Sequence, residues 1–174
     1  NDSAINSHLL MRNGILNHVV EDGHLYELRS DSPEAFKREK IPCMFRKVGI
    51  NHSISFPLFC NTHDTSLFIE IETGDVNYAL YRHVALYSYR ALVSEIRKKE
   101  IEAEKLKRIV NSSTLYGLMG NFAIENFSKS YKLELQGIRD MEYYKEEILN
   151  DLQSGTESFV FLSREIPLKG IYAS

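Results

Sequence analysis

Cysteine is scarce in this chain: Cys43 and Cys60 are the only two among 174 residues. So few thiols exclude the disulfide framework of a small secreted domain and fit a reducing, cytoplasmic setting. No stretch approaches the ~20 apolar residues that span a bilayer. The N-terminus also lacks the basic-then-apolar plan of a signal peptide. No membrane partner is therefore expected. Charge of one sign is not in excess either, with 21 Lys and Arg against 24 Asp and Glu for a net charge of −3. Any nucleic-acid contact must then come from a local patch rather than from the field of the whole molecule. Internal repeats, low-complexity tracts, glycine-rich phosphate loops, serine elbows and zincin signatures are all missing. What remains is 43% hydrophobic and 26% charged, enough for a sizeable core in one domain or in a small module with a helical extension. The opening on Asn1 and the stop at Ser174 lead to the expectation that both ends were cut from a longer chain.

Periodicity divides the chain. Leu9, Leu10, Ile15, Leu16, Val19 and Val20 predict an amphipathic helix over 9–21. Glu21-Asp22-Gly23 stops it, and 24–28 alternates as a strand. The charged stretch 30–40 reads as an insertion with a helix start at Pro33. A second strand is expected over 45–54, ended by Pro57. Thr62 is a candidate cap for a helix over 63–71 with Leu67, Phe68 and Ile71 as its apolar face. Proline and glycine are both absent from 76–112, which predicts one long helix there. Its acids and bases alternate at i,i+4 over 95–108, as on a solvated face. A break over 111–120, a strand over 131–135, a helix over 138–152 and late strands at 159–161 and 171–172 complete the reading. The fold class is α+β, with a mixed module at 1–73 and a helix-rich region with a short late sheet at 74–174.

Two features carry chemistry. Cys60-Asn61-Thr62-His63-Asp64 sets a thiol and an imidazole three residues apart, a spacing at which both can grip one zinc ion. The acid follows directly, at the start of a helix. His8 stands at a helix entrance, where a neutral imidazole can project into a cleft and deprotonate water.

Together, Ile5-Asn6-Ser7-His8, the 24–28 strand, Gly49-Ile50-Asn51 and Cys60-x2-His63-Asp64 resemble an HNH-type nuclease module, the ββα-metal form of a treble clef. Ser7-His8 with Leu10 and Leu16, Gly23-His24-Leu25-Tyr26 and the run from Cys60 to Phe68 are similar to segments of uncharacterised bacterial proteins carrying this module. The resemblance covers about residues 4–72. It implies that His8 is the general base, Asn51 the orienting residue, and Cys60 and His63 two ligands of a structural zinc. Asp64 then takes the slot of the catalytic-metal ligand, where a carboxylate suits magnesium or manganese. The implied activity is metal-dependent hydrolysis of DNA, in a setting of defence against phage. The chain departs from the pattern in lacking a C-x2-C pair before His8 and in having Ser7 where an acid or histidine is usual. These departures favour a second reading, a non-catalytic scaffold or sensor that oligomerises, or binds a protein partner, through the 76–112 helix. A third rests on Arg12 and His18, whose spacing is similar to the R-x4–6-H pattern of metal-independent HEPN ribonucleases.

Overall fold

The computed structural model describes residues 4–8, 16, 19–30, 43–73 and 76–162. The chain forms two compact units that meet in sequence between Val76 and Asn77. The architecture is α+β: two small antiparallel sheets come first, and long helices follow.

The first unit holds β1 (Ile5–His8), β2 (His24–Ser30), β3 (Cys43–Gly49), β4 (Ser55–Phe59) and α1 (Asn61–Glu72). β2 pairs with β3, and β1 with β4. The Asp22-Gly23 pair turns the chain into β2 with positive φ at both residues, 51° and 74°. Glu21 and His24 close that turn by exchanging backbone hydrogen bonds of 2.9 and 3.0 Å, the two-residue arrangement that Asp-Gly favours. Leu25 and Val48 point to the buried side of the β2–β3 ribbon, and Leu25 packs with Leu16, Val20, Ile50 and Ile54. Pro57 does not end the second strand region as expected but lies inside β4. It pairs with Asn6 beside a register shift between Ile5 and Asn6; a two-stranded sheet has only edges, where proline's missing N–H costs no ladder bond. The expected 45–54 strand stops at Gly49, and a 3-10 turn covers Ile50–His52. The cap of α1 is Cys60 rather than Thr62. The expected 9–21 helix lies outside the described residues apart from positions 16 and 19–21, and so does most of the 30–40 insertion.

The second unit, Asn77–Ser163, is a helical hairpin. α2 (Tyr81–Val110) turns at Asn111 and Ser112 into α3 (Ser113–Ser154). The long helix begins at Tyr81 rather than 76, because the Asn77 side chain accepts from Ala79 N at 2.9 Å and its carbonyl from Leu80 N at 3.0 Å. This side chain-to-backbone bonding builds a turn in place of helix. Ala85, Leu86, Tyr89, Ile96, Ala103 and Leu106 are buried along α2. α2 packs on α3 within the same chain, so this buried stripe of the helix expected to mediate oligomerisation is used inside the chain. Tyr81 and Arg82 at the start of α2 contact Asp151 and Leu152 at the end of α3, while Lys99 farther along α2 contacts Glu134 earlier in α3, so the hairpin is antiparallel. On the outer face Arg97–Glu100, Lys98–Glu95, Lys105–Glu102 and Arg108–Glu104 pair up. Exposed pairs at this spacing contribute only about 0.3–0.5 kcal/mol each, so the buried stripe supplies most of the stability.

The strand expected over 131–135 is helical. Tyr131, Leu133 and Leu135 alternate over five residues, but Ile124, Phe127, Tyr131, Leu135, Ile138, Met141, Ile148 and Leu152 continue a 3–4 spacing that burial on α2 rewards. The expected break over 111–120 shrinks to the Asn111–Ser112 turn and a kink at Gly120, whose φ of 76° and ψ of 166° are non-helical. No strand follows β4 among the described residues: 159–161 is irregular, and 171–172 lies outside them. Among the described residues no helix is long and apolar enough to cross a membrane.

Asp151 locks the segment after α3. It accepts from Thr156 Oγ1 at 2.6 Å, Ser158 Oγ at 2.8 Å, Ser158 N at 2.9 Å and the Tyr81 hydroxyl. Phe159 and Phe161 then stack toward Tyr144 and Tyr81. The Thr156 and Tyr81 hydroxyls hold the Asp151 carboxyl well below its usual range, while burial and the bond to Asp151 raise Tyr81. A depressed carboxyl stabilises the fold above its unfolded pKa, near 3.9, and loses that contribution as pH falls below it. The protection of the Ser158 and Phe159 amides, as the ratio of intrinsic to observed exchange rate at each pH, should therefore stay high and flat through neutral pH and fall only in acid. In Asp151→Asn it should be low throughout. Gly120→Ala should lower stability by about 1–3 kcal/mol, because its backbone region is closed to residues with a Cβ. Gly117→Ala, in regular helix with open space around it, should be neutral or stabilising by up to ~1 kcal/mol. Thermal unfolding of the two variants measures both.

Candidate functional site

The site residues expected from sequence fall in two places on the first unit. The first is the loop between β3 and β4. His8 ends β1 opposite Ser55, and its Nε2 lies 2.9 Å from the Ile50 carbonyl. A carbonyl only accepts, so Nε2 carries the hydrogen and a neutral His8 keeps its lone pair on Nδ1. Asn51 follows that carbonyl directly and is exposed, as is His52. His8 is thus on a strand end and next to the loop that carries Asn51, while the helix expected to begin after it lies outside the described residues.

This loop is braced from several sides. The Ile50 carbonyl also accepts from Ser53 Oγ at 3.1 Å, and Ile50 N donates to the Gly23 carbonyl at 3.0 Å. Arg29 Nη2 donates to the His52 carbonyl at 2.9 Å, and Ile54 N donates to Glu27 Oε1 at 3.2 Å. Glu27 in turn pairs with Arg29 at 2.8 Å. Ile54 holds φ at 45°, a left-handed conformation that costs a β-branched residue about 1–3 kcal/mol. The Glu27 bond and the packing of Ile54 on the Leu16–Leu25 cluster compensate for it. Sequence reasoning missed Glu27 and Arg29. On the alternating strand they share a side with buried Leu25, an odd place for two charges, and that was the available signal.

The second place is the start of α1. Cys60 Sγ and His63 Nδ1 lie 3.1 Å apart. Tetrahedral zinc, with bonds near 2.3 Å to sulfur and 2.0–2.1 Å to nitrogen, sets such ligands about 3.5 Å apart. Opening this contact by a few tenths of an ångström would admit the ion, so the pair fits half of a zinc site. Among the described residues no group of three or more His, Cys, Asp or Glu side chains is arranged to hold a metal. Asp64 sits in the first turn of α1, its N–H donating to the Cys60 carbonyl at 2.9 Å. A carboxylate there is favoured by the helix dipole. Phe59 and Phe68 meet edge to face at 5.1 Å and seat the helix on β4.

The two places are not brought together through the β1–β4 ribbon. His8 pairs with Ser55 while Ile5 pairs with Phe59, and four strand residues span roughly 13 Å. His8 with Asn51 and Cys60 with His63 therefore occupy opposite ends of it. Cys43, the other thiol, is exposed on β3. Arg12 and His18 lie outside the described residues. His83 has a local structural role, its Nδ1 accepting from Asn77 N at 3.1 Å.

The bracing makes a specific expectation. Glu27→Ala should speed amide exchange at Ile54 and Ser53 by at least an order of magnitude, since it removes the acceptor of one N–H and frees Arg29, while leaving exchange in α2 and α3 unchanged. Compared with known proteins, the chain matches no family model, no curated protein and no solved structure, so its function has to be argued from its own residues.

Proposed function

We propose that the first unit is an HNH-like module that hydrolyses DNA phosphodiesters with a divalent ion. The observation that carries this reading is the hydrogen bond from His8 Nε2 to the Ile50 carbonyl. It orients the ring and leaves Nδ1 as the basic atom, beside the loop that presents Asn51. His8 would take the proton from an attacking water as its oxygen bonds to phosphorus, and the P–O bond opposite the attack breaks. Asn51 would orient the His8 ring or the water. Asp64 offers the oxygen ligand that magnesium or manganese prefers, and Cys60 with His63 supplies two of the four ligands of a structural zinc. A divalent ion held by Asp64 would polarise a phosphate and stabilise charge on the leaving oxygen, and it would do so at the α1 end of the β1–β4 ribbon while His8 stands at the other end. A setting in phage defence rests on the resemblance alone.

A second reading, a non-catalytic scaffold descended from such a module, is favoured by the β1–β4 register, which sets His8 far along the ribbon from Cys60. Nothing among the described residues favours the ribonuclease reading that uses Arg12 and His18.

Plasmid nicking with magnesium or manganese separates the first two. Wild type should nick, and His8→Ala should lose about 100-fold or more of the rate. Cobalt(II) added to the protein should give a thiolate charge-transfer band that Cys60→Ala removes. A wild type that nicks with neither ion supports the scaffold; equal nicking by His8→Ala removes His8 from the chemistry.

A further inference from the structure

The turn that opens β2 also builds a cavity of about 210 Å³, whose polar lining is Glu21, Asp22, His24, Tyr26 and Lys47. The two acids come from the turn itself, while Lys47 stands on β3 directly across from Tyr26. On the same ribbon Arg29 and Glu27 close an ion pair at 2.8 Å. Here two carboxylates and an ammonium line one cavity, yet none of the three is in an ion pair among the described residues. The cavity holds the opposite charges apart and leaves the adjacent acids with an unneutralised excess. His24 Nδ1 lies 2.7 Å from the Asp22 carbonyl. A carbonyl only accepts, so Nδ1 carries the hydrogen and Nε2 of the neutral ring is left as an acceptor. Gly49 lies opposite His24, so no side chain from β3 covers the imidazole.

We infer that this cavity is a binding site for a basic α-amino acid, with arginine its best fit. Size is the first argument. The volume of about 210 Å³ is below the ~300–1,000 Å³ that encloses a drug-sized molecule, so the ligand is small. Charge is the second argument. Two carboxylates and one ammonium call for the mirror set, two cationic centres and one anionic centre. An α-amino acid with a cationic side chain carries those three charges. Its carboxylate meets Lys47, and its α-ammonium and side-chain cation meet Asp22 and Glu21 through charge-assisted hydrogen bonds. Nε2 of His24 accepts from one of the same N–H groups. The ring of Tyr26 is the third argument. It is 67% exposed, and a planar guanidinium stacks on an open ring face where an ammonium cannot. That selects arginine over lysine. An acidic amino acid or a run of phosphates is repelled by the two carboxylates.

This site goes beyond the hydrolase reading and shares no residue with it. Binding is scored without nucleic acid or divalent metal, so failure of that reading leaves the result intact. The full chain, labelled with nitrogen-15, is titrated with L-arginine into the millimolar range and followed by amide chemical shifts. Saturable shifts should appear at 21–26 and at Lys47, with none in α2 or α3. Glu21→Gln combined with Asp22→Asn should weaken binding at least about tenfold, because each bond to a charged group is worth more than one factor of ten. Asparagine also accepts the positive φ of position 22, so the turn survives the change. Tyr26→Phe should retain binding and Tyr26→Leu should weaken it several-fold. Agmatine, which keeps the guanidinium and the amine but lacks the carboxylate, should bind wild type more weakly than arginine, and Lys47→Gln should erase that preference. The four substituted side chains are exposed, so circular dichroism should be unchanged. Absence of saturable shifts overturns the inference, as does equal binding by the Glu21→Gln, Asp22→Asn variant. Glutamate, or an N-acetylated arginine amide without either α charge, binding as well as arginine overturns it too. So does a preference for arginine over agmatine that survives in Lys47→Gln.

Discussion

The first unit hangs on one carbonyl. Ile50 O accepts from His8 at the end of β1 and from Ser53 within its own loop, while Ile50 N donates to Gly23 at the turn before β2. Two sheets of two strands each are marginal alone, because a hairpin buries too little apolar surface to offset its ordering entropy. These bonds tie one ribbon to the other around the Leu16–Leu25 cluster. The same bond that joins them orients the imidazole on which the catalytic reading depends. Architecture and candidate chemistry thus share a single atom, so a change that loosens the 50–54 loop acts on both.

The second unit is held differently. Its helices are long, their apolar stripes face each other, and the charged pairs outside contribute little individually. Specificity comes from a few polar contacts placed at known heights along the hairpin. Lys99 reaches Glu134 past Gly137, whose missing side chain leaves room for the lysine stem. Asp151 fastens the segment after Gly155. An acid in the last turn of a helix opposes the macrodipole. At Asp151 that cost is offset by three hydroxyl donors and one backbone N–H.

Much of this was legible in the residues, and the failures have identifiable causes. Asp22-Gly23 announced a tight turn because few other pairs accept positive φ twice. The long α2 was legible from the absence of proline and glycine. Alternation at Tyr131, Leu133 and Leu135 misled, since a short run of period two is outweighed by the 3–4 spacing sustained along α3. Pro57 misled as well, because a proline is excluded from a central strand but not from an edge. In the candidate site, the closeness of Cys60 to His63 came from three-residue spacing at a helix start. The bracing by Glu27 and Arg29 did not, since their partners lie 27 and 23 residues away.

The sequence by itself determined the local terms: the turn at Asp22-Gly23, the helical stretches, the alternation of β2 and the pairing of Cys60 with His63. Each depends on residues within one or two turns of one another, where chain geometry leaves few choices. Only the tertiary structure decided which strands pair, that His8 and Cys60 stand at opposite ends of β1 and β4, that α2 spends its apolar face on α3, and that Tyr26 and Phe45 face water. Those outcomes depend on contacts between distant segments. Many arrangements bury similar surface, and close packing between distant segments selects among them.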